Sequence, residues 1–153
     1  DARWLTVGGL AAIVTGHATG ISAGGLALVA DGGATGLNLG GLAAVGSASL
    51  DGINLSLGTV ESGEAIRGAT LGGYRVRAPV VQGISVNPVM LRTTDLTGVA
   101  LGGYNEVLGT QRGLTIGIVN YARELRGVQI GLINYSGDNP AVLRVLPVVN
   151  VGR

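Results

Sequence analysis

The sequence predicts an all-β fold: a parallel β-solenoid of about nine coils of 14–16 residues over residues 1–135, closed by a C-terminal cap of the same domain over residues 136–153. Three observations carry that reading. Glycine returns at Gly20, Gly36, Gly52, Gly68, Gly83, Gly98, Gly113 and Gly127, at intervals of 16, 16, 16, 15, 15, 15 and 14, and Trp4 holds the same place in a first copy. Within each copy, apolar and small polar residues alternate, as they do along a strand with two unlike faces. Composition excludes the disorder that 29 glycines in 153 residues would otherwise suggest, because 46% of the chain is apolar and the formal net charge is only +1.

Each element follows from a column of the repeat. Counting the repeated Gly as position one, position two reads Leu5, Ile21, Leu37, Ile53, Ala69, Ile84, Val99, Leu114 and Val128. Position four, from Val7 to Ile130, is apolar throughout. Between them stands a mostly small polar column: Thr6, Ser22, Asn38, Asn54, Thr70, Ser85, Ala100, Thr115 and Gln129. With the apolar columns turned inward, Thr6, Ser22, Asn38, Asn54, Thr70, Ser85, Thr115 and Gln129 are expected to form a flat outer contact face. Position five is Gly in seven of nine copies, and the apolar phase shifts beyond it. A corner is expected there, using glycine's access to positive φ, followed by a second short strand. The acidic and basic residues fall mainly in the turn that leads to the next copy.

Stacking would place Asn105, Asn120 and Asn134 in a ladder of side-chain amides, with Tyr121 over Tyr135 beside it. After Tyr135 the repeat stops, and Pro140 and Pro147 exclude central ladder positions, which suits a cap. The alternative architecture is a small closed antiparallel β-barrel with one strand per copy. Its lumen would take the Thr, Ser and Asn residues, but aromatics, at 3% of the chain, are too few for two interfacial girdles.

The segment "GVQIGLINY", Gly127–Tyr135, and the related "GLTIGIVNY", Gly113–Tyr121, resemble the repeat of bacterial surface-repeat proteins, in which Gly, aliphatic, Gln, aliphatic, Gly, aliphatic, any and Asn succeed one another. The closing "RVLPVVN", Arg144–Asn150, is similar to the ends of such proteins. The resemblance covers residues 113–150 and fades towards the N-terminus, where Ala11, Ala27 and Ala43 stand in place of the repeat's Asn. It implies export to the cell envelope or surface and brings no catalytic residues with it.

Chemistry-bearing residues are sparse. His17 is the only histidine and there is no cysteine, so neither a thiol–histidine pair nor a thiolate zinc site can be assembled. Glu61 and Glu64 are read as solvated turn charges, and Ser136–Asn139 as too short of oxygen ligands for calcium. No catalytic, cofactor-binding or metal-ligating residue is assigned, and no enzyme activity or cofactor is expected. A net charge of +1, all ten basic residues being Arg, gives no reason to expect nucleic acid. Residues 4–30 carry no Asp, Glu, Lys or Arg, but six glycines and His17 break the run, so it is not read as a membrane helix. Asp1 is read as a mature N-terminus left by signal-peptide removal.

The expected function is a non-catalytic structural or interaction module, secreted, on the cell surface or in the outer membrane. It would pack against itself or another envelope protein through its Gly/Thr/Ser/Asn face, with a membrane open as a partner. An outer-membrane barrel, or an ice- or glycan-binding surface using the same polar column, are the alternatives.

Overall fold

In the computed structural model, which describes all 153 residues, each repeat runs as a long strand, a corner, a short strand and a turn. The long strands are β1 (Ala2–Gly8), β3 (Ala18–Gly24), β5 (Ala34–Gly40), β7 (Ser49–Ser56) and β9 (Ala65–Gly72). The short ones are β2 (Ala11–Val14), β4 (Ala27–Ala30), β6 (Ala43–Gly46) and β8 (Thr59–Ser62). From Arg75 to Ser136 the later coils form one unbroken run of 62 strand residues, β10. A single 3-10 turn at Ala141–Leu143 leads into β11, Val145–Gly152.

Every long strand pairs in parallel with the one before it, in the order β1-β3-β5-β7-β9-β10, and the short strands do the same in the order β2-β4-β6-β8-β10. Register steps by a whole repeat, so that Leu5 lies beside Ile21, Ile21 beside Leu37, and Leu37 beside Ile53. The molecule is therefore a parallel β-solenoid with two walls. The antiparallel barrel is excluded: the pairings between repeats are parallel, and the only antiparallel partner is β11, laid along Gly127–Tyr135. Pro147 sits where that last register slips, at the bulge between Gly131 and Asn134, so its missing N–H removes no ladder bond. At about 4.8 Å per coil, nine coils give a rod roughly 43 Å long.

The glycine at position one is what lets the coils approach. Gly20, Gly36, Gly52, Gly68, Gly83, Gly98, Gly113 and Gly127 all have positive φ, from 101° to 153°. A Cβ at Gly68 would lie 2.2 Å from the carbonyl oxygen of Gly52, and the same collision recurs up the column. Trp4, at φ 76°, is the one non-glycine in that column. The corner glycines work differently from the expectation. None of Gly8, Gly24 or Gly40 has positive φ; each is needed because a Cβ would fall 1.7–1.8 Å from the oxygen of the alanine three residues on.

The largest departure from the sequence reading is which way the faces point. Ser22, Asn38, Asn54, Thr70, Ser85, Thr115 and Gln129 are buried and Thr6 is half-buried, while the apolar columns two and four face outward. The polar column is thus the inner lining of the long wall, not an outer contact face. It can serve neither as the expected packing surface nor as an ice- or glycan-binding one. The reason lies where each long strand begins. It already includes the residue two before the glycine, Ala18, Ala34, Leu50, Ile66, Val81, Leu96 or Leu125, all buried and in phase with position three rather than with two and four. Ala18, Ala34, Leu50, Ile66, Val81 and Leu96 form one apolar cluster with Ala44, Val60, Val76, Leu91, Val107 and Ala122 from the short wall.

Candidate interaction surface

The polar lining holds because neighbouring coils supply partners to its amides. Asn38 Nδ2 donates to Asn54 Oδ1 at 2.8 Å, and Asn54 Nδ2 to Thr70 Oγ1 at 3.3 Å. Towards the C-terminus Gln111 replaces the apolar residue of its column. Its Oε1 accepts from Thr115 Oγ1 at 3.3 Å and from Gln129 Nε2 at 3.1 Å, while its own Nε2 donates to Val128 O at 3.1 Å. A buried amide costs little when its donors and acceptors are met this way. One atom is left over: Asn38 Oδ1 has no partner, because Ser22 below it is too short to reach. Ser22→Asn is expected to extend the ladder by one rung and raise stability by about 1 kcal/mol. A chemical-denaturation midpoint that stays put or falls would count against that pairing.

A second ladder lines the later corners. Asn105 Nδ2 donates to Asn120 Oδ1 and Asn120 Nδ2 to Asn134 Oδ1, each at 2.8 Å. The same amides reach the corner carbonyls of Ile116, Ile130 and Gly131, and Asn134 also reaches Leu146 O of β11 at 3.1 Å. Position-five glycines make room for them: a Cβ at Gly117 would lie 2.7 Å from Asn105 Nδ2. Beside this ladder the rings of Tyr121 and Tyr135 stack with centroids 4.9 Å apart and planes within 6°. Tyr104 continues that side, and burial, then the neighbouring Glu106 carboxylate, pushes its phenol above the ordinary tyrosine range.

Outside, the long wall presents two apolar columns. Leu5, Val7, Ile21, Ile53 and Ile84 are 65, 68, 46, 48 and 55% exposed. The apolar surface continues over the corner through Leu10, Leu26, Leu42 and Tyr74. Four residues of strand width and nine coils make this strip roughly 600 Å², at the upper end of the largest apolar patch on ordinary monomers.

No charged group stands in these two columns. Arg77 faces Glu61 at 3.8 Å and Arg92 faces Glu106 at 3.0 Å beside a shallow cleft of about 410 Å³ on the short-wall side, so these arginines do not make a free basic patch. His17 donates from Nδ1 to Gly32 O at 2.8 Å, which leaves Nε2 to accept from the Thr35 hydroxyl at 2.9 Å, and the ring is thereby a tie between coils. Glu64 is a turn charge as expected, but Glu61 lies within β8, half-buried and facing Arg77, and Asp138 accepts from the backbone N–H of Leu125 at 3.1 Å. No three His, Asp or Glu side chains converge to hold a metal ion. No helix is long and apolar enough to cross a membrane.

The outward apolar strip was legible only in retrospect: the apolar residue two before each glycine shares the phase of position three, which already assigns the inside. No known protein family, no curated protein and no solved structure matches this chain.

Proposed function

We propose that the chain is a non-catalytic structural module of the bacterial cell envelope or surface that works by laying its long wall against another envelope component. A single observation carries this reading: the two columns that a soluble solenoid would give to polar residues are apolar in every coil and largely uncovered. The strip is close to the roughly 800 Å² that one partner contributes to an interface of ordinary size. The likeness of residues 113–150 to surface repeats supports the location, and the stacked fold, which fixes side chains in straight columns, supports a role in presenting a surface rather than in chemistry.

The test is to replace Ile53 and Ile84, both outward and half exposed, with Asp. Neither touches the inner ladders, so the far-UV circular dichroism is expected to stay unchanged. In cells exporting the chain, the double variant is expected to move from the envelope fraction to the soluble fraction. Retention of a folded double variant in the envelope fraction would count against the proposal.

A further inference from the structure

Resting on that reading, we infer that the component met by the long wall is an anionic lipid surface. The residue just before each repeated glycine is in phase with positions two and four, so it projects from the same face, at its edge. In chain order this column reads Arg3, Thr19, Thr35, Asp51, Arg67, Gln82, Thr97, Arg112 and Arg126. It holds four arginines and one acid, and that acid is taken: Asp51 pairs with Arg67 at 3.2 Å. Arg3, Arg112 and Arg126 are exposed and make no ion pair within the chain. Positions two and four carry no charge at all; Asp31, Glu64 and Asp138 lie in the turns, and Asp95 and Glu124, two residues before the rim column in β10, accept from the backbone N–H and the hydroxyl of Thr110.

An apolar strip edged by unpaired arginines, with carboxylates held back from it, matches a bilayer interface. The aliphatic residues enter the acyl boundary, while guanidinium groups lie along the edge and reach the phosphates. A second copy fits less well. If two long walls pack about a two-fold axis along the strands, the rims meet with Arg3 of one copy near Arg126 of the other. If the axis runs along the stack, each arginine rim lies over the apolar corner column of Leu26 and Leu42. Both arrangements leave the arginines without an anion and cost the association free energy.

Purified full-length chain is mixed with vesicles of phosphatidylcholine alone, or of phosphatidylcholine with phosphatidylglycerol, and floated on a density gradient. Binding to the anionic vesicles is expected, with much weaker binding to the neutral ones. Each arginine near an anionic surface is worth about fivefold in affinity at moderate salt. Arg112→Gln with Arg126→Gln is therefore expected to weaken anionic binding about 25-fold, and raised salt to mimic it. Ile53→Asp with Ile84→Asp is expected to abolish binding to both vesicle types, with circular dichroism unchanged throughout.

Equal binding to both vesicle types, indifference to the arginine changes, or no flotation would each overturn the lipid assignment. So would sedimentation showing a dimer that the Ile53 and Ile84 changes dissociate. If flotation fails while those same changes still release the chain from the envelope fraction, the partner is a protein and only the lipid inference falls. If the changes release nothing in cells, the broader reading falls with it.

Discussion

Gly68→Ala is expected to destabilise the whole stack by about 3–5 kcal/mol, from the left-handed backbone and the steric collision together. Gly68 has φ 101°, and the added methyl would lie 2.2 Å from Gly52 O and 3.0 Å from its carbonyl carbon. These are backbone atoms inside a paired ladder, so nothing nearby can rotate away; two coils must separate instead. Because the coils are stacked one on another, separation at Gly68 also loosens the register on either side. Gly9→Ala is the control, since a Cβ there meets nothing within 4 Å and the residue is not in the left-handed region. Urea unfolding followed by circular dichroism reads both. A midpoint for Gly68→Ala equal to that of Gly9→Ala would show that the column is not a close contact.

Asn120→Leu is expected to cost about 3–5 kcal/mol for similar side-chain volume, because what it removes is hydrogen bonding in a site without water. Asn120 is fully buried. It accepts from Asn105 Nδ2 at 2.8 Å, donates to Asn134 Oδ1 at 2.8 Å, and donates to Ile130 O at 2.9 Å. Leucine leaves Asn134 Oδ1 and Ile130 O without that donor and weakens the hold on Asn105. Leaving buried acceptors unpaired costs more than the mutual bonds contribute. Asn105→Leu combined with Asn120→Leu should cost less than the sum of the singles, because the second change removes a partner already orphaned. Strict additivity would mean that the two amides do not act as one ladder. Hydrogen exchange at the corner amides of residues 116–134 locates the effect.

Much of this architecture could be read from the residues alone. The spacing of the repeated glycines fixed where each coil begins, and the uniform turn after every copy spoke against a barrel. The Asn shared by the copies starting at Gly98, Gly113 and Gly127, and the Tyr that follows it in the last two, pointed to stacked rows there. The error arose at the columns flanking position three. Apolar residues at two and four were assigned to the inside because that is where apolar residues usually go. The competing signal is Leu50, Ile66, Val81 and Leu96, which share the phase of position three and belong to the strand that runs on through the glycine. Had the strand been carried back through the glycine, one face would have held both Leu50 and Asn54, and only that face can close on the short wall.

The arginine rim was missed for the same reason. A strand begun at the glycine leaves Arg67, Arg112 and Arg126 outside it, and only a strand running through the glycine sets them at the border of the outer wall.

The repeat, its stacking and the existence of two unlike faces are written in the order of residues, because these depend on spacing along one chain. Which face becomes the interior is settled only when the coil closes. Alternation distinguishes the sides of a strand without orienting them, whereas closing a coil of 14–16 residues leaves a narrow interior in which a polar side chain meets its own counterpart from the next coil. There an amide finds its hydrogen bonds in register, and the aliphatic residues on the far side of the wall are left for a surface outside the chain.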